Sequence, residues 1–189
     1  MAIVVLYHHV LGLTPGVVAL ADALRAGGHT VVTPDLFGGR TFATIDEGLA
    51  FVRASDEETL TQMGLDALPD DADGCVVAGV SFGAAVAAAA ARRRSVRGVL
   101  SYESFIDPQW VGGWDRPVPL QVHAMAADPF FLEDEPAARE WVAGHPEAEL
   151  VTYAGDRHLF TDSSTAAYDA AATAEVVERS LAFLREVSG

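Results

Sequence analysis

Few side chains in this sequence can do covalent chemistry. Lys and Asn are both missing, every basic residue is Arg, and Cys occurs once, at Cys75. A P-loop lysine, a Schiff-base lysine, a Ser–Lys dyad and a Cys-His-Asn triad are therefore excluded. The pattern that stands out is Gly79-Val80-Ser81-Phe82-Gly83, a G-x-S-x-G match. In a chain with 17 glycines such a match is weak by itself, and its flanks strengthen it. Cys75 to Ala78 reads as a strand, and the alanine-rich run from Ala84 reads as a helix. Strand, sharp turn and helix together make a nucleophile elbow, which exposes the serine Oγ and aims the next amide, that of Phe82, at an oxyanion. The competing reading is a small-residue turn that lets a helix pack closely on a sheet.

A serine needs a base, and in this arrangement the partners follow in the order Ser, Asp or Glu, His. Asp128 follows the apolar segment Leu120 to His123, and His158 follows the last β-branched segment, Glu149 to Thr152. The expected set is thus Ser81, Asp128 and His158, with His158 moving the proton and Asp128 fixing its tautomer. Glu103 and Asp107, after the preceding strand, compete for the acid; the Pro129-Phe130 turn favours Asp128. His29 and His145 precede strands and belong at the far end of a sheet. His123, inside a strand, reads as a satisfied core histidine, and Cys75 as inert core filling. Tyr153, Asp156, Arg157 and Asp162 read as a polar loop around His158.

These residues need elements to position them. Short β-branched runs at 3–6, 30–32, 75–77, 96–100, 120–123 and 149–152 alternate with helix-period stretches at 16–26, 45–53, 84–93, 136–143 and 166–187. The strands are continuously apolar, as parallel strands covered on both faces are. The expectation is one α/β domain over 1–189: a doubly wound, mainly parallel sheet of about six strands, with helices on both faces. Ligands bind such sheets at the carboxyl ends of the strands, near the switch point.

A net charge of −15 over 189 residues argues against nucleic acid and anionic membrane surfaces as partners. Arg92, Arg93, Arg94 and Arg97 offset a helix C-terminus. Neither Ala2 to Tyr7 nor Phe82 to Ala91 is long enough to span a bilayer, and a lone cysteine fits a reducing compartment. A cytoplasmic monomer or small homo-oligomer is expected.

The stretch Val4-Val5-Leu6-Tyr7-His8-His9-Val10-Leu11-Gly12-Leu13, then Ala21 to Leu24, Pro34 to Phe37, the elbow, Asp128 and Tyr153 to Phe160 resemble the dienelactone hydrolase family of α/β-hydrolases. The resemblance covers nearly the whole chain. It implies a compact α/β-hydrolase without a cap domain, the triad above and an oxyanion hole from the amides of Val10 and Phe82; adjacent His8 and His9 point to opposite sides of a strand, which argues against a metal pair, and no cofactor is expected. The family's name-giving enzymes carry a cysteine where Ser81 stands, a glutamate where His9 stands, and an arginine shortly after the catalytic histidine, where Asp162 stands. His9 is expected as a site-lining donor, with Leu11, Phe130 and Phe160 beside it and Arg40 as the one arginine near the mouth. A small neutral ester or lactone is the expected substrate. The alternatives are a non-enzymatic protein of the same fold that binds a small molecule or partner, and a flavodoxin-like binder, which lacks its glycine-rich phosphate loop here.

Overall fold

The computed structural model describes residues 1–189, apart from the side chain of Glu57. Its elements run β1 (Ile3–Tyr7), α1 (Pro15–Ala26), β2 (Thr30–Val32), α2 (Ile45–Ala54), α3 (Glu57–Asp66), β3 (Cys75–Val80), α4 (Phe82–Arg93), β4 (Gly98–Tyr102), β5 (Leu120–Met125), α5 (Phe131–Gly144), β6 (Ala148–Tyr153) and α6 (Ala170–Val187). The six strands form one sheet in the order β2-β1-β3-β4-β5-β6, and every pairing is parallel. The chain steps outward from β1 to β2, then crosses back and builds the other half. The switch point lies between β1 and β3, which end side by side with Tyr7 opposite Gly79.

Burial explains the strand composition. β3, β4 and β5 are buried throughout, while β6, at the edge, is buried only at Val151 and Tyr153. Alternate residues serve opposite faces. Val4, Leu6, Val76, Ala78 and Leu100 pack with residues of α1 and α6. Val5, Tyr7, Val77, Val99 and Val122 pack with α3, α4 and α5. Local signals start the helices: Thr14 caps α1 with Pro15 at its first turn, and Thr44 and Glu47 form a capping box on α2.

The structure departs from the sequence expectations at three helices. α3 is unanticipated, because its sequence is mostly polar and it offers the core only Leu60 and Leu65. α5 starts at Phe131 and carries Pro136 inside it, where the sequence pointed to Pro136 as the start; a proline there forfeits one intrahelical bond, and the helix tolerates that loss. α6 starts at Ala170, because the Asp169 carboxylate caps the amides of Ala171 and Ala172. Among the described residues, no helix is long and apolar enough to cross a membrane.

Two glycines hold the switch point closed. A Cβ at Gly83 would lie 2.4 Å from the Tyr7 carbonyl oxygen, and one at Gly79 would lie 2.1 Å from the Gly83 carbonyl. Both obstacles are backbone, so neither can turn aside. Gly83→Ala is therefore expected to lower the unfolding free energy by about 2 kcal/mol or more. Urea denaturation of the purified variant measures this, and a loss within experimental error of zero counts against the close approach.

Candidate active site

Ser81 stands between β3 and α4 with φ +50 and ψ −114, in a region that residues with a Cβ seldom adopt. Its amide donates to the Tyr102 carbonyl at 2.8 Å, which ties the strained turn to β4. The helix begins at once, so the amide of Phe82 lies at the positive end of α4. Among the described residues, the amides of Val10 and Phe82 donate to no protein acceptor.

The expected partners converge on this turn. Ser81 Oγ lies 2.9 Å from His158 Nε2, and His158 Nδ1 lies 2.7 Å from Asp128 Oδ2. The carboxylate beside Nδ1 places the proton there, so Nε2 is left to accept from the serine hydroxyl. Asp128 is buried, and its other oxygen accepts from the amide of Phe130 at 2.9 Å. Neither competitor for the acid bonds to His158. Asp107 caps the short turn Pro108–Val111 through the Gln109 amide. Glu103 is buried and accepts from the Thr161 amide at 2.8 Å.

The two adjacent histidines point to opposite sides of the sheet. His8 donates from Nδ1 to the His9 carbonyl and accepts the Leu36 amide at Nε2; burial lowers its pKa to about 4. His9 differs from the expectation. Its Nδ1 accepts from the Leu11 amide at 3.2 Å, and its Nε2 donates to Asp162 Oδ2 at 2.6 Å. With both nitrogens occupied and the ring fully buried, His9 does not line the site. It clamps the loop bearing Val10 to the loop bearing His158.

Asp162, read from the sequence as a loop residue standing where the resembled family carries an arginine, is the centre of that clamp. Thr14 Oγ1 donates to Oδ2 at 2.5 Å, and the Ser164 amide and hydroxyl donate to Oδ1. Burial alone pushes the carboxyl up, but the bonds from His9, Ser164 and Thr14 outweigh it and bring the pKa from 3.8 to about 2. Gly16 leaves the room, since a Cβ there would overlap the carboxylate. Nothing local in the sequence announces the contact, because His9 and Asp162 lie 153 residues apart.

The remaining expected lining residues divide. Leu11 borders a groove of about 370 Å³ beside His158, together with Thr14, Phe42, Ile45, Leu159 and Ser164. The Phe130 ring rests against the His158 imidazole at 4.4 Å between centroids. Phe160 is a correction: it is fully buried in the core and reaches no groove. The Arg40 guanidinium lies 5.3 Å over the Phe51 ring, and Arg40 is not among the residues that border the groove. His123 donates and accepts within the core, between Tyr153 and Gln121. A larger concavity of about 650 Å³ lies at the opposite end of the strands, between Leu120, Ala148 and Phe183, away from every residue of the site.

Comparison with known proteins follows the same lines. The model of the dienelactone hydrolase family matches residues 1–188. No curated protein matches. A dienelactone hydrolase-like promiscuous phosphotriesterase from metagenomic libraries superposes with a TM-score of 0.79 at 20% identity, over 100% of this chain and 87% of that one. A dienelactone hydrolase from Anabaena variabilis ATCC 29413 gives 0.68 at 18% identity, over 98% and 86%. One of two metagenome-derived lipolytic enzymes, LipS and LipT, gives 0.70 at 18% identity, over 98% and 94%. At these identities the structural likeness establishes the α/β-hydrolase fold.

The clamp has a pH signature. A carboxyl with a depressed folded pKa contributes stability above its unfolded value and loses it as pH falls through the folded value. For Asp162 the window runs from about 4 down to about 2, and the contribution is about 2 kcal/mol at neutral pH. Denaturation of wild type and Asp162→Asn across that window tests it. The difference between them is expected to shrink towards pH 2, and a constant difference overturns the assignment.

Proposed function

Because the chain belongs to the dienelactone hydrolase family, we propose that it is a serine hydrolase that cleaves small neutral carboxylic esters or lactones through Ser81, His158 and Asp128, without a cofactor. One observation carries the reading: an unbroken path from a strained, partly open serine hydroxyl to His158 at 2.9 Å, and from His158 to a buried carboxylate at 2.7 Å. That path lets the imidazole take the serine proton while Asp128 holds the ring and stabilises the imidazolium.

In the reaction Ser81 Oγ attacks the substrate carbonyl as its proton passes to His158 Nε2. The carbonyl oxygen becomes an oxyanion, and the unoccupied amides of Val10 and Phe82 are the donors offered to it. His158 returns the proton to the departing alkoxide, leaving an acyl ester on Ser81. Water then repeats the sequence with His158 as base and frees the acid. In a lactone, the leaving alkoxide stays attached to the acyl group and departs with the same water step.

Neutral substrates are favoured by the groove beside His158. Its wall is Leu11, Phe42, Ile45 and Leu159 with the hydroxyls of Thr14, Ser164 and Thr165, and among the described residues no Arg, Asp or Glu borders it. Asp162 turns inward to His9, and the Arg40 guanidinium lies over the Phe51 ring.

Two measurements test the proposal. A fluorophosphonate probe should label folded wild type at Ser81 alone. Ser81→Ala and His158→Ala should each reduce kcat on p-nitrophenyl acetate by about 10³-fold or more without unfolding the protein, and Asp128→Asn by a comparable factor. Unlabelled wild type, or turnover that survives both single changes, rejects the triad.

A further inference from the structure

The residue after β4 carries two penalties that a glycine there would avoid. Glu103 sits at φ +63, a backbone region that disfavours any residue with a Cβ. Its carboxyl is 1% exposed, and Oε2 is the one buried side-chain polar atom among the described residues without a hydrogen-bond partner. Burial pushes its pKa up, against the pull of His158, Thr161 and His9. Strain and an orphaned polar atom together on one residue beside a site indicate a use.

The use is visible in the bonds around it. The Tyr102 carbonyl accepts the Ser81 amide at 2.8 Å, and the Glu103 amide donates at 2.6 Å to the His123 carbonyl on β5, the strand that runs into the Asp128 turn. Glu103 Oε1 accepts the Thr161 amide at 2.8 Å, in the loop that carries His158. Two successive residues therefore tie together the segments bearing the nucleophile, the acid and the base. Only the last tie is made by a side chain, so only that one depends on which residue stands at 103. The surrounding backbone is pinned as well: Ser101 Oγ donates to the Ser104 carbonyl, and the Ser104 hydroxyl and Phe105 amide both donate to Asp134.

We infer that Glu103 is a positioning residue for His158, whose buried carboxyl holds the histidine loop through Thr161 and keeps the imidazole within reach of both Ser81 and Asp128. The loop needs such a hold, because its backbone turns left-handed at Leu159, directly after the histidine, at φ +61. Glu103 touches neither the serine nor the histidine nitrogens, so its effect passes through the loop.

The inference rests on the serine hydrolase reading, and the test separates the two. Glu103→Gln keeps an oxygen for the Thr161 amide, Glu103→Ala removes it, and Glu103→Asp falls short of it. On p-nitrophenyl acetate, Ala and Asp should lower kcat by about 10- to 100-fold while KM stays within about twofold, and Gln should stay within about threefold of wild type. All are assayed below their measured melting temperatures; if the Ala variant does not fold, the Asp and Gln pair decides. An unchanged kcat in a folded Ala or Asp variant overturns the inference, as does a Gln variant as slow as Ala. Amide hydrogen exchange at Thr161 reads the tether without any turnover. It should be slow in wild type and Gln and fast in Ala. A wild type that neither labels nor turns over rejects the hydrolase reading, while the exchange result still decides on the tether.

Discussion

The sheet edge that bears Ser81 depends on how closely the first turn of α4 lies against the end of β1. The space between them is so small that a methyl group at Gly83 would meet the carbonyls of Tyr7 and His8. That contact fixes the helix start, and with it the amide of Phe82 and the turn that lifts Ser81 out of the sheet. It also sets Ser81 beside the loop that leaves β1, where Val10 is found. The backbone strain at Ser81 is sustained because the amide bond to Tyr102 and the packing of α4 leave the turn no alternative. The precision of the site is thus a property of packed backbone, which small residues make possible and larger ones would destroy.

Around this contact sits a layer of buried polar groups, and the environment of each decides its charge. Asp162 has donors from His9, Thr14 and Ser164 converging on its two oxygens, and its pKa falls. Glu103 is equally buried but has the Thr161 amide on one oxygen and nothing on the other, and its pKa rises. Two carboxyls under one loop are therefore shifted in opposite directions: burial raises both, and only at Asp162 do enough hydrogen bonds converge to outweigh it.

The parts legible in the sequence were those encoded locally. The elbow shows itself in consecutive residues, Gly79 to Gly83, flanked by a strand and a helix. The strands show themselves as apolar runs. His158 and Asp128 could be placed because each follows a recognisable strand. What could not be read was pairing across the chain. His9 looked like a donor to the site because its partner, Asp162, is far away in sequence, and Glu103 looked like a rival acid because nothing near it names Thr161. Phe160 follows a strand, as true lining residues do, and only packing shows that its ring turns inward. α3 escaped for a different reason: a mostly polar helix that covers a small part of the core has almost no periodic signal.

The strong acidity of the chain bears less on substrate choice than its magnitude indicates. The charge of −15 is spread over a surface in water, where salt screens interactions beyond about 10 Å. The Asp162 carboxylate in the histidine loop is itself buried, with its charge met by His9, Thr14 and Ser164. In the proposed function, what disfavours an anionic ester is desolvation. A carboxylate entering the groove beside His158 would exchange its water for Leu11, Phe42, Ile45 and a few hydroxyls, without the bidentate partner that a guanidinium supplies. A neutral ester loses little hydration in the same place and gains apolar contact. The proposed preference therefore arises from a missing partner in the groove, and it should persist at salt concentrations that abolish long-range repulsion.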